Sequence, residues 1–441
     1  MELHIPREIE SLMELIYKEN YEIYLVGGCV RDAVLGIEPN DYDLATNAPI
    51  EELLNLLSKT YKVFQVGKAF GTLIVKLESS TVELSLLRKR TDAGISMDGD
   101  ILSDLMCRDF TINSMAYSHS GELVDPFGAR EDIQNNILKS VEPSAVLCED
   151  PLRAIRAVRF HVKYNLRIDE ALTQAIRSIS RETVPISPER LREEFFKILL
   201  LDKPSMAIRE MISLGLFSWY PFENWMDRMK DYDQQNPYHD KTLLEHTLVV
   251  LDQTPPIIEV RLAALFHDVG KPDVQTFEGD QIAHYYQHES VSAEHARMAL
   301  KGLNSSNQLI EDVTRLIAGH MFSPTDIGTK GIKRLIRKVG GFDQMNRLLD
   351  LMEADIKGTA YPERASCMNQ LKALVQDLKD NEAVFRRKDL NITGRDLIQL
   401  GICEGRFIGQ WLDVILELVI DEELENEREC LMAYVKRESN I

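Results

Sequence analysis

Leu25-Val26-Gly27-Gly28-Cys29-Val30-Arg31-Asp32, followed after a short interval by Asn40-Asp41-Tyr42-Asp43-Leu44, decides how this chain is read. An apolar, β-branched run from Ile23 to Val26 enters a double glycine and then a helix-like segment, Cys29 to Leu35. Such a run reads as a strand. Residues i and i+2 of a strand face one side, so Asp41 and Asp43 can grip one hard divalent cation, or a pair, from a single face. Glycines let backbone N–H groups and a helix N-terminus approach phosphate oxygens. A metal-binding acidic pair beside a phosphate cradle is the equipment for nucleotidyl transfer. Taken singly, Asp-x-Asp and Gly-Gly are more often solvated turns. Their order, with Arg31-Asp32 between them, carries the reading.

Gly27-Gly28-x-Val30-Arg31-Asp32 followed by Asp41-x-Asp43 resembles the head domain of class II tRNA nucleotidyltransferases, which build the 3′-terminal CCA of tRNA, and of bacterial poly(A) polymerases. The resemblance implies an α+β fold. A DNA polymerase beta-like nucleotidyltransferase head with a mixed sheet comes first, then an all-α neck, an HD domain and a helical tail. Mg²⁺ is expected at Asp41 and Asp43. Glu83, on the strand-like run Thr81 to Ser85, is either a third carboxylate facing them or an exposed residue on an edge strand.

Three further motifs extend the likeness to about residue 200. Cys107-Arg108-Asp109-Phe110-Thr111-Ile112-Asn113 resembles the family motif that holds ribose and triphosphate. Arg108 is expected to counter phosphate charge, with Asp109 and Asn113 on the sugar or buttressing the loop. The family usually has arginine where Cys107 stands. Glu149-Asp150-Pro151-Leu152-Arg153 matches its base-reading motif. A carboxylate accepts from the exocyclic amine that C and A share, and a guanidinium donates to ring nitrogen or carbonyl oxygen. Asp150 also reads as a helix N-cap with Pro151 at N1, and Arg156 and Arg159 follow on the same helix. Ser187-Pro188-Glu189-Arg190 and Glu194-Phe195 resemble the motif that steadies the neck, a structural role.

The implied reaction is attack of the tRNA 3′-hydroxyl on the α-phosphate of CTP or ATP, releasing pyrophosphate. Gly27, Gly28, Arg31 and Arg108 are expected on the triphosphate. Between Glu83 and Arg108, members adding the whole CCA usually carry a longer, basic loop. Here Arg90 to Asp100 is short and acidic, which favours a CC-adding enzyme and implies a complementary A-adding partner enzyme. The alternatives are a poly(A) polymerase, or a metal-dependent phosphohydrolase or RNA-binding protein with an inactive head.

Composition is compatible with all of these. The 441 residues suffice for several domains, 44% are hydrophobic and 28% charged, as in soluble globular proteins. No run is apolar enough to span a membrane, the N-terminus lacks a signal-peptide pattern, and the six cysteines are scattered; a cytoplasmic location is expected. The net charge of −20 opposes nucleic-acid binding unless basic residues cluster. Candidate clusters are Arg88-Lys89-Arg90, Arg153/Arg156/Arg159, Lys330 to Lys338 and Arg386-Arg387-Lys388, while Asp421 to Glu429 reads as a solvated acidic helix face. The expected division is a head over 1–140, a neck over 141–205, an HD-type helical domain over 206–370 and a tRNA-contacting tail over 371–441.

Seven of the ten histidines lie between 239 and 320. His246, then His267-Asp268 after an apolar helix, and then Asp355 resemble the order of the HD phosphohydrolase fold. There imidazoles and carboxylates bind a divalent transition metal or Mg²⁺ that activates water. His288 and His320 are placed to complete a second metal site or to contact phosphate. A metal-dependent phosphodiesterase or phosphatase activity is the expectation. Leu390 to Leu397 resembles the C-terminal segment of HD-bearing members.

Overall fold

The computed structural model describes residues 3–66, 71–91, 94–179, 186–278, 282–322, 328–381, 384, 386–402 and 405–439. The chain divides into two compact units, 1–190 with 206–216, and 191–205 with 217–441.

The first unit is built on strands β1 (Ile23–Val26), β2 (Tyr42–Thr46), β3 (Lys62–Val66), β4 (Thr72–Lys76), β5 (Thr81–Leu86), β8 (Ala116–Ser118) and β9 (Leu123–Val124); β6 (Lys89–Thr91) and β7 (Gly94–Ser96) pair separately. The seven-stranded sheet has the order β3-β4-β5-β2-β1-β8-β9. Strands β2 and β5 pair in parallel and the other neighbours antiparallel. This is the mixed-sheet α+β head the sequence implies. The runs read as strands, Ile23 to Val26 and Thr81 to Ser85, agree with the observed spans to within a residue.

Period-two alternation decides what each sheet face does. Leu25, Leu44, Leu73, Val75, Val82 and Leu84 are buried on one face, against Ile9, Leu12 and Ile16 of the helix Arg7–Lys18 and Leu53 and Leu57 of the helix Ile50–Leu57. The intervening residues Val26, Asp43, Ala45, Glu83 and Ser85 turn to the opposite face. There Leu87 and Leu105 cover only part of the sheet. The acidic residues therefore stand on the side that the packing leaves open.

Past the sheet the described residues are mainly helical, as expected, apart from two short pairings: Ile137–Leu138 with Arg167–Ile168 in parallel, and Thr276–Glu278 with Ile282–His284 antiparallel. Asp150 is not the helix N-cap. It is the extended residue between the helices Pro143–Glu149 and Leu152–Tyr164, with Pro151 in the cap position. Its carboxylate nevertheless accepts from the Leu152 N–H at 3.2 Å. In the tail, Gly401 and Gly405 take positive φ as turns, but Gly394 and Gly409 lie in helices. The acidic run from Asp421 is mostly a turn, with a helix only from Arg428.

In the second unit the helices Leu243–Gln253, Ile258–Phe266, His288–Gly302, Asn307–Gly319 and Phe342–Gly358 bring their histidines and aspartates to one centre. The tail packs its own core from Leu397, Ile415, Leu416, Ile420, Leu431 and Val435.

Candidate functional site

Register places the carboxylates of the first unit. Asp43 of β2 lies beside Glu83 of β5 in the parallel ladder, and opposite Val26, the last residue of β1. Parallel neighbours share a face, so Glu83 is the residue facing Asp43 rather than a stray edge position. Asp41 precedes β2 and is exposed. Burial first, then Glu83 and Asp41, raise the Asp43 carboxyl above the usual carboxylate range, against the opposing pull of Arg108. Three acids crowded this way gain from a cation. Their oxygens are an open set: among the described residues, the triads with ligand atoms within 4.8 Å of one another lie elsewhere. An oxygen-only, partly solvated set of this kind suits Mg²⁺, which keeps several waters and shares its shell with phosphates.

Two clefts adjoin these residues. One, of about 570 Å³, is lined by Asp43 and Glu83 together with Thr72, Ile95 and Met97. The other, of about 330 Å³, is lined by Gly27, Gly28, Arg31, Asp109 and Asn113, and by Asp150, Arg153 and Arg156. Both include Asp43, Arg88 and Arg108. The structure thus brings most of the sequence-derived nucleotide residues to one place. Asp41 and Arg159 line neither cleft; the Arg159 guanidinium lies over the Phe160 ring at 4.4 Å.

Each polar group there is held by another. Gly27 has φ +73°, and a Cβ at this position would lie 2.7 Å from Arg108 Nη1, so the glycine is what admits that guanidinium beside Asp43. Arg108 Nη2 and Arg88 Nε each donate to Asp104 at 2.8 Å, and Asp104 is fully buried. Burial pushes the Asp104 carboxyl up, but Arg108 and Arg88 outweigh it and hold it below the usual range. Two guanidiniums on one carboxylate leave a net positive charge beside the cleft. Arg31 Nη1 donates to Asn113 Oδ1 at 2.5 Å, Asn113 Nδ2 to Asp109 Oδ1 at 2.8 Å, and Arg156 Nη2 to Asp109 Oδ2 at 2.6 Å. Arg153 donates to Glu149 and to the Cys107 carbonyl. Arg190 Nη2 donates to Asp150 Oδ2 at 2.6 Å, so the neck arginine fixes the carboxylate assigned to base reading. Arg88 and Asp104 were missed by motif reading. The i, i+4 spacing of Asp104 and Arg108 was the available signal.

The basic runs are largely spent on internal pairs. Arg90 is bonded to Glu142 and Glu149, and Lys89 to Asp98 at 2.8 Å. Lys333 and Arg334 pair with Glu422 and Asp421, and Arg337 with Asp413 and Glu417. The run from 330 to 338 is therefore not the open cationic face that its sequence suggests. In the short segment before Arg108, Asp98 answers Lys89 and Asp100 caps the helix Ile101–Met106; Asp92 and Ala93 lie outside the described residues.

In the second unit, His246, His267 and Asp355 form one triad of ligand atoms, and Asp268, His288 and His320 another. Asp268 joins them: its Oδ2 lies 3.2 Å from His267 Nε2 and its Oδ1 3.1 Å from His288 Nε2. All four imidazoles present Nδ1 to a backbone carbonyl, those of Gly358, Ala264, Tyr285 and Ile317. An Nδ1–H donor leaves Nε2 as a lone pair aimed inward, the arrangement of a metal-ligating histidine whose other nitrogen is held by a carbonyl. Yet Nε2 atoms face each other at 3.3 Å (His246 and His267) and 3.4 Å (His288 and His320). A positive charge is required between them. Burial pulls the His267 imidazolium down, but Asp268 and Asp355 outweigh it and carry its pKa to about 10; a bound cation meets the same demand. Mixed imidazole and carboxylate donors fit a divalent transition metal. Lys271, at 2.7 Å from Asp268 Oδ2, and His239, at 3.3 Å from Lys271, adjoin the cluster without having been foreseen.

Comparison with known proteins agrees with this architecture. The Poly A polymerase head domain family matches residues 23–139, the RNA and SrmB-binding site of polymerase A residues 165–222, and tRNA nucleotidyltransferase domain 2 residues 280–435. The CC-adding tRNA nucleotidyltransferase of Halalkalibacterium halodurans is 32% identical over 48% of this chain and 53% of its own length, so that match spans about half of the relative. The CCA-adding enzyme of Enterococcus faecalis is 27% identical over 98% of this chain and 97% of its own. The Bacillus stearothermophilus CCA-adding enzyme, solved in complex with CTP, superposes with a TM-score of 0.72 at 24% identity, covering 99% of both chains. The matches to the head, the RNA-binding segment and the second domain thus follow one another along a single polypeptide, which is similar over nearly its whole length to a CCA-adding enzyme.

Proposed function

We propose that the chain adds C, or C and A, to the 3′ end of tRNA from the nucleoside triphosphates, without a nucleic-acid template, with Mg²⁺ at Asp41 and Asp43 and Glu83 as the third carboxylate. The observation that carries this is the pairing of Asp43 with Glu83 at a cleft whose remaining charge is the Arg88–Arg108 pair. The tRNA 3′-oxygen forms a bond to the α-phosphorus, the α–β bridging bond breaks, and pyrophosphate leaves with its electron pair. Mg²⁺, when bound, lowers the hydroxyl's pKa and offsets phosphoryl charge. Arg31 and Arg108 hold the triphosphate. Asp109 and Asn113 set the ribose, and Asp150 with Arg153 reads the amine edge common to C and A. Cys107, buried and neutral, supplies no phosphate contact from its side chain, and Arg88 stands in the vicinity instead.

On the subtype, the short segment between Glu83 and Arg108 supports CC addition, as does the name of one relative, although others are named CCA-adding. The tail from 371 is assigned to tRNA contact, and the cytoplasm to the protein as its location; among the described residues no helix is long and apolar enough to cross a membrane. The histidine–aspartate cluster is proposed as an HD-type phosphohydrolase centre binding divalent metal through His246, His267, Asp268 and Asp355, with His288 and His320 completing a second position. Asp41→Ala separates the two centres. Lost nucleotide incorporation with phosphohydrolase activity retained supports both assignments, and unchanged incorporation refutes the head site.

A further inference from the structure

The sheet face that carries Asp43 and Glu83 continues past them to the edge of the sheet. Glu83 of β5 lies opposite Ile74 of β4, and Ile74 opposite Phe64 of β3. Val63 and Val75 turn to the packed face, into the core with Ile9 and Leu12. Alternation therefore puts Phe64 and Ile74, and their neighbours Lys62 and Lys76, on the open face. Phe64 is 56% exposed there, and Val66 beyond it 47%. Lys62 and Lys76 are direct cross-strand partners. Like charges so placed repel, and among the described residues neither lysine is paired with a carboxylate. An anion laid across the two strands removes that repulsion.

The direction of nucleotidyl transfer says what this face meets. The cleft with Gly27, Gly28 and Arg31 lies on the β1 side of Asp43, and the cleft with Glu83, Thr72 and Ile95 on the β5 side. Phosphoryl transfer sets the attacking and leaving oxygens in line. With the triphosphate on the glycine side, the attacking 3′-hydroxyl arrives from the β5 side, and the strand behind it runs over β4 and β3. Strands lie about 4.8 Å apart, so Phe64 stands roughly 10 Å from Glu83, with the lysines about 7 Å along the strands from it. An open ring beside two unneutralised cations fits single-stranded nucleic acid, in which every nucleotide offers a π-face and a phosphate. An apolar protein partner does not call for the lysine pair. We propose that β3 and β4 form the docking surface for the RNA 3′ end, with Phe64 stacking a base just behind the reacting nucleotide and Lys62 with Lys76 on its phosphates. This rests on the nucleotidyl-transfer reading of the head.

The test is equilibrium binding of the full chain to two fluorescent RNA hairpins, one blunt and one with a short single-stranded 3′ end terminating in C. The overhang is expected to tighten binding at least about tenfold, the range of one base–aromatic stack. Phe64→Ala cuts that advantage by about tenfold and leaves blunt binding unchanged, while Phe64→Tyr, which keeps the ring face, retains it. Lys62→Ala with Lys76→Ala lowers the slope of log affinity against log salt by about 1 for the overhang RNA alone. An advantage that survives Phe64→Ala, or equal weakening of both RNAs, overturns the proposal. So does a concentration-dependent dimer that Phe64→Ala dissolves, which gives the face to a second copy of this chain. Binding of the overhang through Phe64 with no nucleotide added to it would instead refute the nucleotidyl-transfer reading and leave the docking result standing.

Discussion

Asp43 on β2 and Glu83 on β5 are direct neighbours in a parallel register, and that adjacency raises the Asp43 carboxyl on top of the effect of its burial. A carboxyl raised in the folded state penalises its charged form. The penalty is fully present above the raised folded pKa and absent below the unfolded value of about 3.9. Asp43→Asn is therefore expected to raise the thermal midpoint of the metal-free protein at pH 7, with the gain shrinking as pH falls towards 4. The same variant loses nucleotide incorporation by about a thousandfold or more, on the scale of a lost electrostatic catalytic group. A variant less stable than the parent at pH 7 contradicts the crowding of the three acids.

Asp104 answers to the opposite sign. Its folded pKa is depressed by Arg108 and Arg88 in spite of burial, so its contribution is present above about pH 3.9 and lost as pH falls through the folded value. Asp104→Asn leaves two guanidiniums short of their shared partner and is expected to cost about 3 kcal/mol or more. Chemical denaturation at pH 7, and again well below the unfolded carboxylate value of about 3.9, measures both the loss and its decline with acid. A change below about 1 kcal/mol at pH 7 removes Asp104 from its role as the anchor of the cleft.

Gly27→Ala probes the approach of Arg108. Gly27 has φ +73° and ψ −124°, outside the left-handed helical region, where alanine pays of order 1–3 kcal/mol, and the new methyl must displace the guanidinium end that lies 2.7 Å from its position. Steady-state kinetics should show a raised KM for CTP that exceeds the fall in kcat, with a thermal midpoint lowered by a few degrees. An unchanged KM means that Arg108 does not hold the nucleotide from this position.

Metal analysis addresses the second unit. Asp268 spans both triads, so Asp268→Ala should empty two positions, whereas His246→Ala or His288→Ala should each affect one. Metal per chain, measured by mass spectrometry after equilibration with Mn²⁺, is expected to follow that order. Equal losses in all three variants contradict two positions joined through one aspartate.

Reading from sequence succeeded where chemistry is local. The Gly27-Gly28 run does lead from β1 into a helix, and the strands that carry Asp43 and Glu83 follow from period-two alternation, whereas Asp41, read as sharing a strand face with Asp43, precedes β2 and lines neither cleft. What depends on a distant partner was not legible. Arg88 reads as one more surface cation until Asp104 is seen to join it to Arg108. Lys333, Arg334 and Arg337 look like an RNA-binding stripe until the acidic residues of the helix Arg406–Ile420 and of the turn after it are seen against them. Glu83 was balanced between two readings because register, which alone makes it a neighbour of Asp43, is a property of the sheet and not of the strand.

Primer extension on tRNA transcripts ending before CCA, after C and after CC, each offered CTP or ATP singly, tests the central claim most directly. CMP incorporation onto the first two primers is expected, abolished by Asp43→Asn, with little or no AMP added to the CC-ended primer. AMP joined readily to the CC-ended primer would contradict the short-segment argument, and incorporation that survives in Asp43→Asn would contradict the acidic cleft itself.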